Sequence, residues 1–120
     1  MKRKILRVGI MSYDDYKKRT IAIARGEYKT SSHEPKIWFN SIETMAKVLS
    51  KKNQELLKII TVQHPESITS LSQMTGRAKS NLSRTLKTME GYGLIELVKE
   101  DRKIRPVVKA SGIRLDIQFA

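Results

Sequence analysis

Residues Ser67–Leu97, SITSLSQMTGRAKSNLSRTLKTMEGYGLIEL, hold the clearest structural pattern in this chain. Their first part predicts a short helix that Thr69 caps, with Leu71 and Met74 facing inward. Gly76 is typical of the left-handed residue that ends such a helix and starts a turn. A second helix is therefore expected shortly after Gly76.

That second helix is predicted over Ala78–Tyr92, because Leu82, Leu86 and Met89 recur at i, i+4 and i+7 and form an apolar stripe. At about 100° per residue, the opposite face carries only basic and small polar side chains. They are Ser80, Ser83, Arg84 and Lys87, with Lys79 at the edge. Such a face suits the major groove, where Arg pairs with guanine and Ser or Asn bonds to bases or phosphates. The alternative is a solvated helix face that happens to be basic.

A β-hairpin is predicted after the second helix. Gly91 and Gly93 are expected to interrupt the helical pattern around Tyr92, and Leu94–Val98 begins a strand. Arg102 and Lys103 lie at the tip, and the return strand contains Pro106, which is tolerated only at a sheet edge. A hairpin in this place is a wing whose tip can touch phosphate or the minor groove. Helix, turn, helix and wing in this order predict an α+β fold, a winged helix-turn-helix.

The sequence before this unit predicts an N-terminal strand-helix extension and two further helices. Apolar residues from Ile5 to Met11 indicate a strand, and the S-x-x-D pattern from Ser12 indicates the start of a helix over Tyr13–Arg25. A polar loop is expected over Lys29–Pro35. Two amphipathic helices follow Ile37, Trp38 and Phe39; we interpret these three residues as core, although Trp38 and Phe39 could instead stack on single-stranded bases.

After the wing, Ile113, Leu115, Ile117 and Phe119 alternate with polar residues and predict a final, C-terminal strand. We therefore divide the chain into residues 1–40, an extension and loop for dimerisation or partner contact, and residues 41–120, the DNA-binding domain.

Composition favours a nucleic-acid partner. The 120 residues suit one domain, and 24 Lys plus Arg against 12 Asp plus Glu give a net charge of +12, which attracts a polyanion. Cys is absent, which excludes disulfides, thiolate metal sites and Cys nucleophiles and is compatible with a reducing cytoplasm. There is no membrane-spanning apolar run and no secretory signal. We expect a cytoplasmic, nucleoid-associated protein.

Catalytic and metal chemistry have little support. His33 and His64 have no metal-ligand spacing. The acidic pair Asp14 and Asp15 suits a helix start, and the pair Glu100 and Asp101 suits a hairpin tip. We expect no enzyme, no metal and no cofactor.

The stretch at residues 67–97 resembles the prokaryotic MarR-like winged-helix regulators. SYDDYKKRTIAIARGEY at residues 12–28 and PKIWFNSIETMAKVLSKKNQELLKII at residues 35–60 are similar to a small predicted-regulator group of that superfamily, some of whose members are encoded beside toxins. The resemblance implies a recognition helix at Lys79–Lys87 and a wing at Arg102–Arg105. The chain departs from larger MarR proteins, which dimerise through long terminal helices, because its C-terminal residues predict a strand.

The predicted function is a double-stranded-DNA-binding transcriptional regulator, a repressor that acts as a homodimer. The alternative is an antitoxin that binds a cognate toxin, through Lys29–Pro35 or the final strand, and represses the operon of both. Five residues are expected in the major groove, three are expected to hold phosphates, and two more complete the DNA-binding set. In that order they are Lys79, Ser80, Asn81, Ser83 and Arg84; Lys87, Arg102 and Arg105; and Arg77 and Lys103.

Overall fold

The computed structural model describes residues 4–119. Helices and strands follow one another as β1 (Ile5–Ile10), α1 (Tyr13–Ala24), β2 (Ile37–Phe39), α2 (Ile42–Val48), α3 (Lys51–Gln63), α4 (Ile68–Thr75), α5 (Lys79–Tyr92), β3 (Ile95–Glu100), β4 (Lys103–Val108) and β5 (Gly112–Asp116). The predicted α+β winged helix-turn-helix, with a strand-helix extension before it and a strand after it, is confirmed. No helix in this part of the chain combines the length and apolar character that crossing a bilayer requires.

Residues 4–119 form two separate sheets. The wing is the antiparallel pair β3 and β4, in which Glu100 is opposite Lys103 and Leu97 is opposite Pro106. Pro106 is accommodated because each strand of a two-stranded sheet has a free edge. The other sheet has the order β2-β1-β5, with both pairings parallel. It joins strands from the predicted extension and the predicted DNA-binding domain, and the division between residues 1–40 and 41–120 stays a prediction.

Serine hydroxyls begin four of the helices. Ser12 Oγ accepts a hydrogen bond from the Asp15 backbone N–H at 3.2 Å, as the S-x-x-D pattern predicted. Ser41 and Ser50 cap α2 and α3 in the same way. At α4 the prediction of Thr69 as the cap is wrong. Ser67 is the cap, because its backbone is extended and its Oγ accepts from the residue three positions later.

The core is built largely from the predicted apolar stripes. Leu82, Leu86 and Met89 of α5 are fully buried and pack with Leu71 of α4. Met74 was expected inward but is 47% exposed. One turn beyond Leu71, Thr75 takes the half-buried position instead, and its Oγ1 donates to the Leu71 carbonyl at 2.9 Å.

The predicted core position of Phe39 is confirmed, since it is fully buried and its ring lies 4.4 Å from that of Tyr92. Trp38 points to the other face of the sheet, where it is half-buried over Gly9. The Arg19 guanidinium stacks on Trp38 at 5.3 Å from the ring centroid. This packing holds both aromatic side chains against the protein.

The final strand is shorter than its alternating pattern predicted. Its pairing with β1 ends at Gly9 and Asp116, because β1 itself ends at Ile10. Ile117 and Phe119 therefore lie beyond the strand.

Candidate nucleic-acid interface

The turn between α4 and α5 is held by side chains of α4. Gly76 adopts the left-handed conformation, with φ at 71°. The Ser72 hydroxyl donates to the Arg77 carbonyl at 2.7 Å, and Thr75 Oγ1 accepts from the Arg77 backbone N–H at 3.2 Å. These bonds satisfy the polar groups of the turn and fix the direction in which α5 leaves it.

The outer face of α5 is polar, basic and free of acidic side chains from Lys79 to Met89. The predicted DNA-binding residues on this helix are Lys79, Ser80, Asn81, Ser83, Arg84 and Lys87. All of them are exposed except Ser83, which is half-buried at the edge of the face. Ala78 precedes the helix and makes no side-chain capping bond. Because no side chain caps α5, its first-turn backbone N–H groups and the positive end of its dipole add to the positive potential at the start of this cationic face.

Arg77 differs from the other members of the predicted set because its guanidinium is engaged within the protein. Its Nη2 donates to Asn81 Oδ1 at 2.9 Å and to Thr85 Oγ1 at 3.5 Å. Its Nη1 donates to Asn53 Oδ1 at 3.5 Å. Its Nε is buried and has no hydrogen-bond partner within residues 4–119. Arg77 thus links α3 to the start of α5 and orients the Asn81 amide.

The wing carries three predicted cations in different electrostatic settings. Arg105 Nη2 lies 2.8 Å from Glu100 Oε1, and this bond lowers the pKa of Glu100 and raises that of Arg105. Lys103 Nζ lies 3.6 Å from the Glu66 carboxylate, in an exposed pair. Arg102, at the tip after the left-handed Asp101, makes no ion pair within the described residues.

Comparison with known proteins assigns the segment that contains α3, α4, α5 and the wing to a family. The family model described as HVO_A0114 matches residues 48–115, more than half of the chain. The chain belongs to the HVO_A0114 family. The matched segment runs from the end of α2 through the wing to β5 and contains every residue of the predicted DNA-binding set.

Comparison with solved structures gives a further similarity. A solved structure described as "the predicted DNA-binding transcriptional regulator from E. coli" is similar over 57% of this chain and 74% of that chain. Its sequence identity is 24% and the TM-score is 0.49. Comparison with curated proteins gives no match.

In this HVO_A0114 family member, the predicted DNA-binding residues on α5 and those on the wing form two separate groups. The Glu90 carboxylate accepts from the Leu97 backbone N–H at 2.9 Å and so ties the end of α5 to the wing. Over the part of the chain that the structure describes, no hydrogen bond or ion pair joins a helix residue of the set to a wing residue. Sequence reasoning missed the carboxylate partners of the wing, Glu66 and Glu100. Only the hairpin register, which brings Glu100 close to Arg105, could have indicated that pair.

The two histidines lie outside both groups. His64 is the left-handed cap at the end of α3, with φ at 49°, and His33 lies in the loop before β2. No cluster of His, Cys, Asp or Glu suited to a metal ion occurs among residues 4–119.

Next to His33, that loop is fastened by Glu34. The Arg19 guanidinium donates to Glu34 Oε2 at 2.7 Å, and the Tyr28 hydroxyl donates to Oε1. The hydrogen bond from Tyr28, followed by that from Arg19, lowers the pKa of the Glu34 carboxyl. The same bond from Tyr28 raises the pKa of its phenol. The cluster holds the end of the loop against α1.

Proposed function

We propose that this protein is a sequence-specific, double-stranded-DNA-binding transcriptional regulator, a MarR-like repressor that binds its operator as a homodimer. The observation that carries the proposal is the outer face of α5. This face follows a constrained turn, has no acidic residue over three turns of helix, and is backed by a fully buried apolar stripe. An α-helix with such a face has the shape and donor groups to enter the major groove.

Residue roles follow from position on α5. Arg84 lies opposite Leu82 and Leu86, at the centre of the exposed face, and we assign it to base contact. Lys79, Ser80, Asn81 and Ser83 lie on the N-terminal half of the helix, the part that usually contacts base edges in helix-turn-helix proteins. Lys87, one turn beyond Arg84, is assigned to phosphate.

We assign the wing to the DNA backbone. Arg102 is exposed at the tip, and Lys103 and Arg105 follow it on β4. Arg105 would exchange its bond to Glu100 for a bond to phosphate, so Glu100 opposes DNA binding until that exchange occurs. Arg77 serves the interface by holding Asn81. We propose that the protein has no catalytic role and that it binds DNA in the cytoplasm.

The net charge of +12 supports a polyanionic partner. Charge alone gives nonspecific affinity that falls steeply with salt. The α5 face is what this proposal holds responsible for preference among sequences.

A selection from fragmented genomic DNA, followed by footprinting, tests the proposal. A dimeric repressor is expected to enrich one short inverted repeat, with half-sites about 34–36 Å apart. Arg84→Ala is expected to weaken the enrichment and to relax the preference at one base pair of each half-site. Lys18→Ala is the matched control, because Lys18 is an exposed cation on α1 outside the proposed interface. Enrichment without sequence preference would reject the proposal.

The second candidate function is an antitoxin that binds a toxin and represses their operon. The exposed polar part of the loop at residues 29–33 and the outer edge of β5 support it as contact surfaces for a partner. Co-purification with the product of an adjacent gene tests it. A regulator that acts alone is expected to show no stable partner.

A further inference from the structure

The outer edge of β5 is available for pairing. In the sheet order β2-β1-β5, one edge of β5 pairs with β1, and no strand within residues 4–119 pairs with the other. Ile113 and Leu115 remain 38% exposed, although their partners in β1 are Leu6 and Val8, which pack in the core. Exposed edges with apolar side chains favour pairing with another chain.

The sequence of β5 and the residue after it is chemically self-complementary. Residues 113–117 are Ile, Arg, Leu, Asp and Ile, so the charges are placed symmetrically about Leu115. Arg114 and Asp116 lie on one face of the strand and the apolar side chains lie on the other. Neither charged side chain forms an ion pair within the described part of the chain.

We infer that β5 pairs antiparallel with β5 of a second copy of this chain, in a register centred on Leu115. Two-fold symmetry requires that a strand meeting its own copy runs antiparallel to it. This register places Leu115 opposite Leu115, Ile113 opposite Ile117, and Arg114 opposite Asp116. Two opposite-charge pairs form per dimer, and the two sheets join into one continuous sheet with the order β2-β1-β5-β5-β1-β2.

The same register covers an apolar cleft beside β5. This cleft has a volume of about 460 Å³. Its apolar lining includes Leu6 of β1, Leu57 of α3 and Val108 of β4, polar side chains of α3 add to it, and Ile113 and Ser111 lie at the β5 side. Phe119 is fully exposed. Pairing about Leu115 brings Phe119 of the second copy opposite Ser111, next to the cleft and on the same face of the sheet as Ile113. The dimer therefore removes this aromatic ring from water.

A second copy explains the edge better than a strand of another protein. Pairing with a strand of another protein would require that strand to carry charges complementary to Arg114 and Asp116. In a second copy of this chain those charges are already present, because Arg114 and Asp116 are placed symmetrically about Leu115. The inference deepens the proposed function, on which it rests only for the use of a dimer at an inverted repeat.

Charge reversal tests the register without DNA. Sedimentation across a concentration series is expected to show a dimer for the unchanged chain. Arg114→Asp and Asp116→Arg, each alone, turn both attractive pairs into repulsive ones and are expected to raise the dimer dissociation constant by roughly tenfold or more. The double variant Arg114→Asp with Asp116→Arg restores opposite charges and is expected to restore the dimer. Circular dichroism checks that each variant remains folded.

Three results would overturn the inference. They are a monomer at all concentrations for the unchanged chain, single variants that dimerise as well as the unchanged chain, and a folded double variant that stays monomeric. Because the assay contains no DNA, these results leave the proposed DNA-binding face unaffected. Conversely, a dimer with the expected charge dependence that shows no DNA preference would reject the proposed function alone.

Discussion

Arg77 Nη2 donates to Asn81 Oδ1 at 2.9 Å, so a residue of the turn before the recognition-helix candidate holds the amide of a residue in the first turn of that helix. Because the bond uses the carbonyl oxygen of Asn81, the two N–H donors of the amide are left for another partner. These donors suit an acceptor such as guanine O6 or N7, whereas bidentate contact with adenine would also need the second lone pair of the Asn81 oxygen.

Arg77 and Asn81 are therefore expected to act as one unit. In a double-mutant cycle of Arg77→Ala and Asn81→Ala, the losses of operator affinity should be non-additive by about 0.5 kcal/mol or more. The measurement is fluorescence anisotropy on operator and random duplexes. Thr85→Val, which removes the longer 3.5 Å bond to Arg77, is the control and should change affinity little. Strict additivity would show that Arg77 does not act through Asn81.

Arg84 and Lys87 are expected to fail in different ways when truncated. Arg84→Ala should cost about 1–3 kcal/mol on the operator and relax the preference at one base pair. Lys87→Ala should weaken binding to operator and random duplex alike and reduce the slope of log affinity against log salt by about one. Titrations of both duplexes at several salt concentrations measure this. Equal weakening of both duplexes by Arg84→Ala would reassign that residue to phosphate.

Glu100→Gln is expected to strengthen DNA binding. The carboxylate holds Arg105 at 2.8 Å and adds negative charge to the wing, so its neutralisation releases the guanidinium for phosphate. Affinity should rise by about two- to tenfold on both duplexes at low salt. Glu96→Gln is the matched control, because it removes an exposed carboxylate of β3 that makes no ion pair among the described residues. An equal gain in both variants would show that only net charge matters.

Glu34 is expected to make folding stability sensitive to acid. Hydrogen bonds from Tyr28 and Arg19 lower the pKa of Glu34 in the folded protein, so their contribution is fully present above the ordinary carboxyl pKa. It is lost as the pH falls through the lowered pKa. Thermal unfolding at pH 7 and pH 3 should show a smaller loss of Tm on acidification for Glu34→Gln than for the unchanged chain. An identical loss would contradict the role of this cluster.

Gly9→Ala is expected to destabilise the sheet by about 1–3 kcal/mol, as overpacking of a tight site does. A Cβ at Gly9 would lie 2.4 Å from the Trp38 ring, closer than side-chain contacts allow. Gly91→Ala is the matched control. Gly91 was expected to interrupt the helix but lies within α5, and a Cβ at this position meets no atom within 4 Å. That change should be neutral or stabilising by up to about 1 kcal/mol. Urea unfolding of both variants provides the comparison.

Local patterns in the sequence predicted the helices and the wing because their signals lie within a few residues of each other. The spacing of Leu82, Leu86 and Met89 located α5 and its buried face, and the S-x-x-D pattern located the start of α1. The competition between Ser67 and Thr69 for the cap of α4 depends on which backbone is extended, which a list of residue types does not specify. Met74 was misassigned because helical spacing alone does not show where the core ends.

Long-range pairing and side-chain partners could not be predicted in the same way. The parallel pairing of β1 with β5 brings Lys4 and Ser111 into contact across 107 positions of sequence, and no local signal specifies it. Likewise, Arg77 and Arg105 were assigned to DNA from their charge and from their positions beside the second helix and in the wing. Their protein partners depend on helix packing and on hairpin register, which become known only with the fold. The DNA-binding set as a whole stays a prediction.

The affinity ratio between the duplex upstream of this gene and a random duplex of equal length, measured at physiological salt, tests the central claim most directly. The proposed regulator should favour the upstream duplex by about a thousandfold or more, and the preference should survive added salt. A ratio near one, with equally steep salt dependence for both duplexes, would contradict it and leave only a nonspecific basic surface.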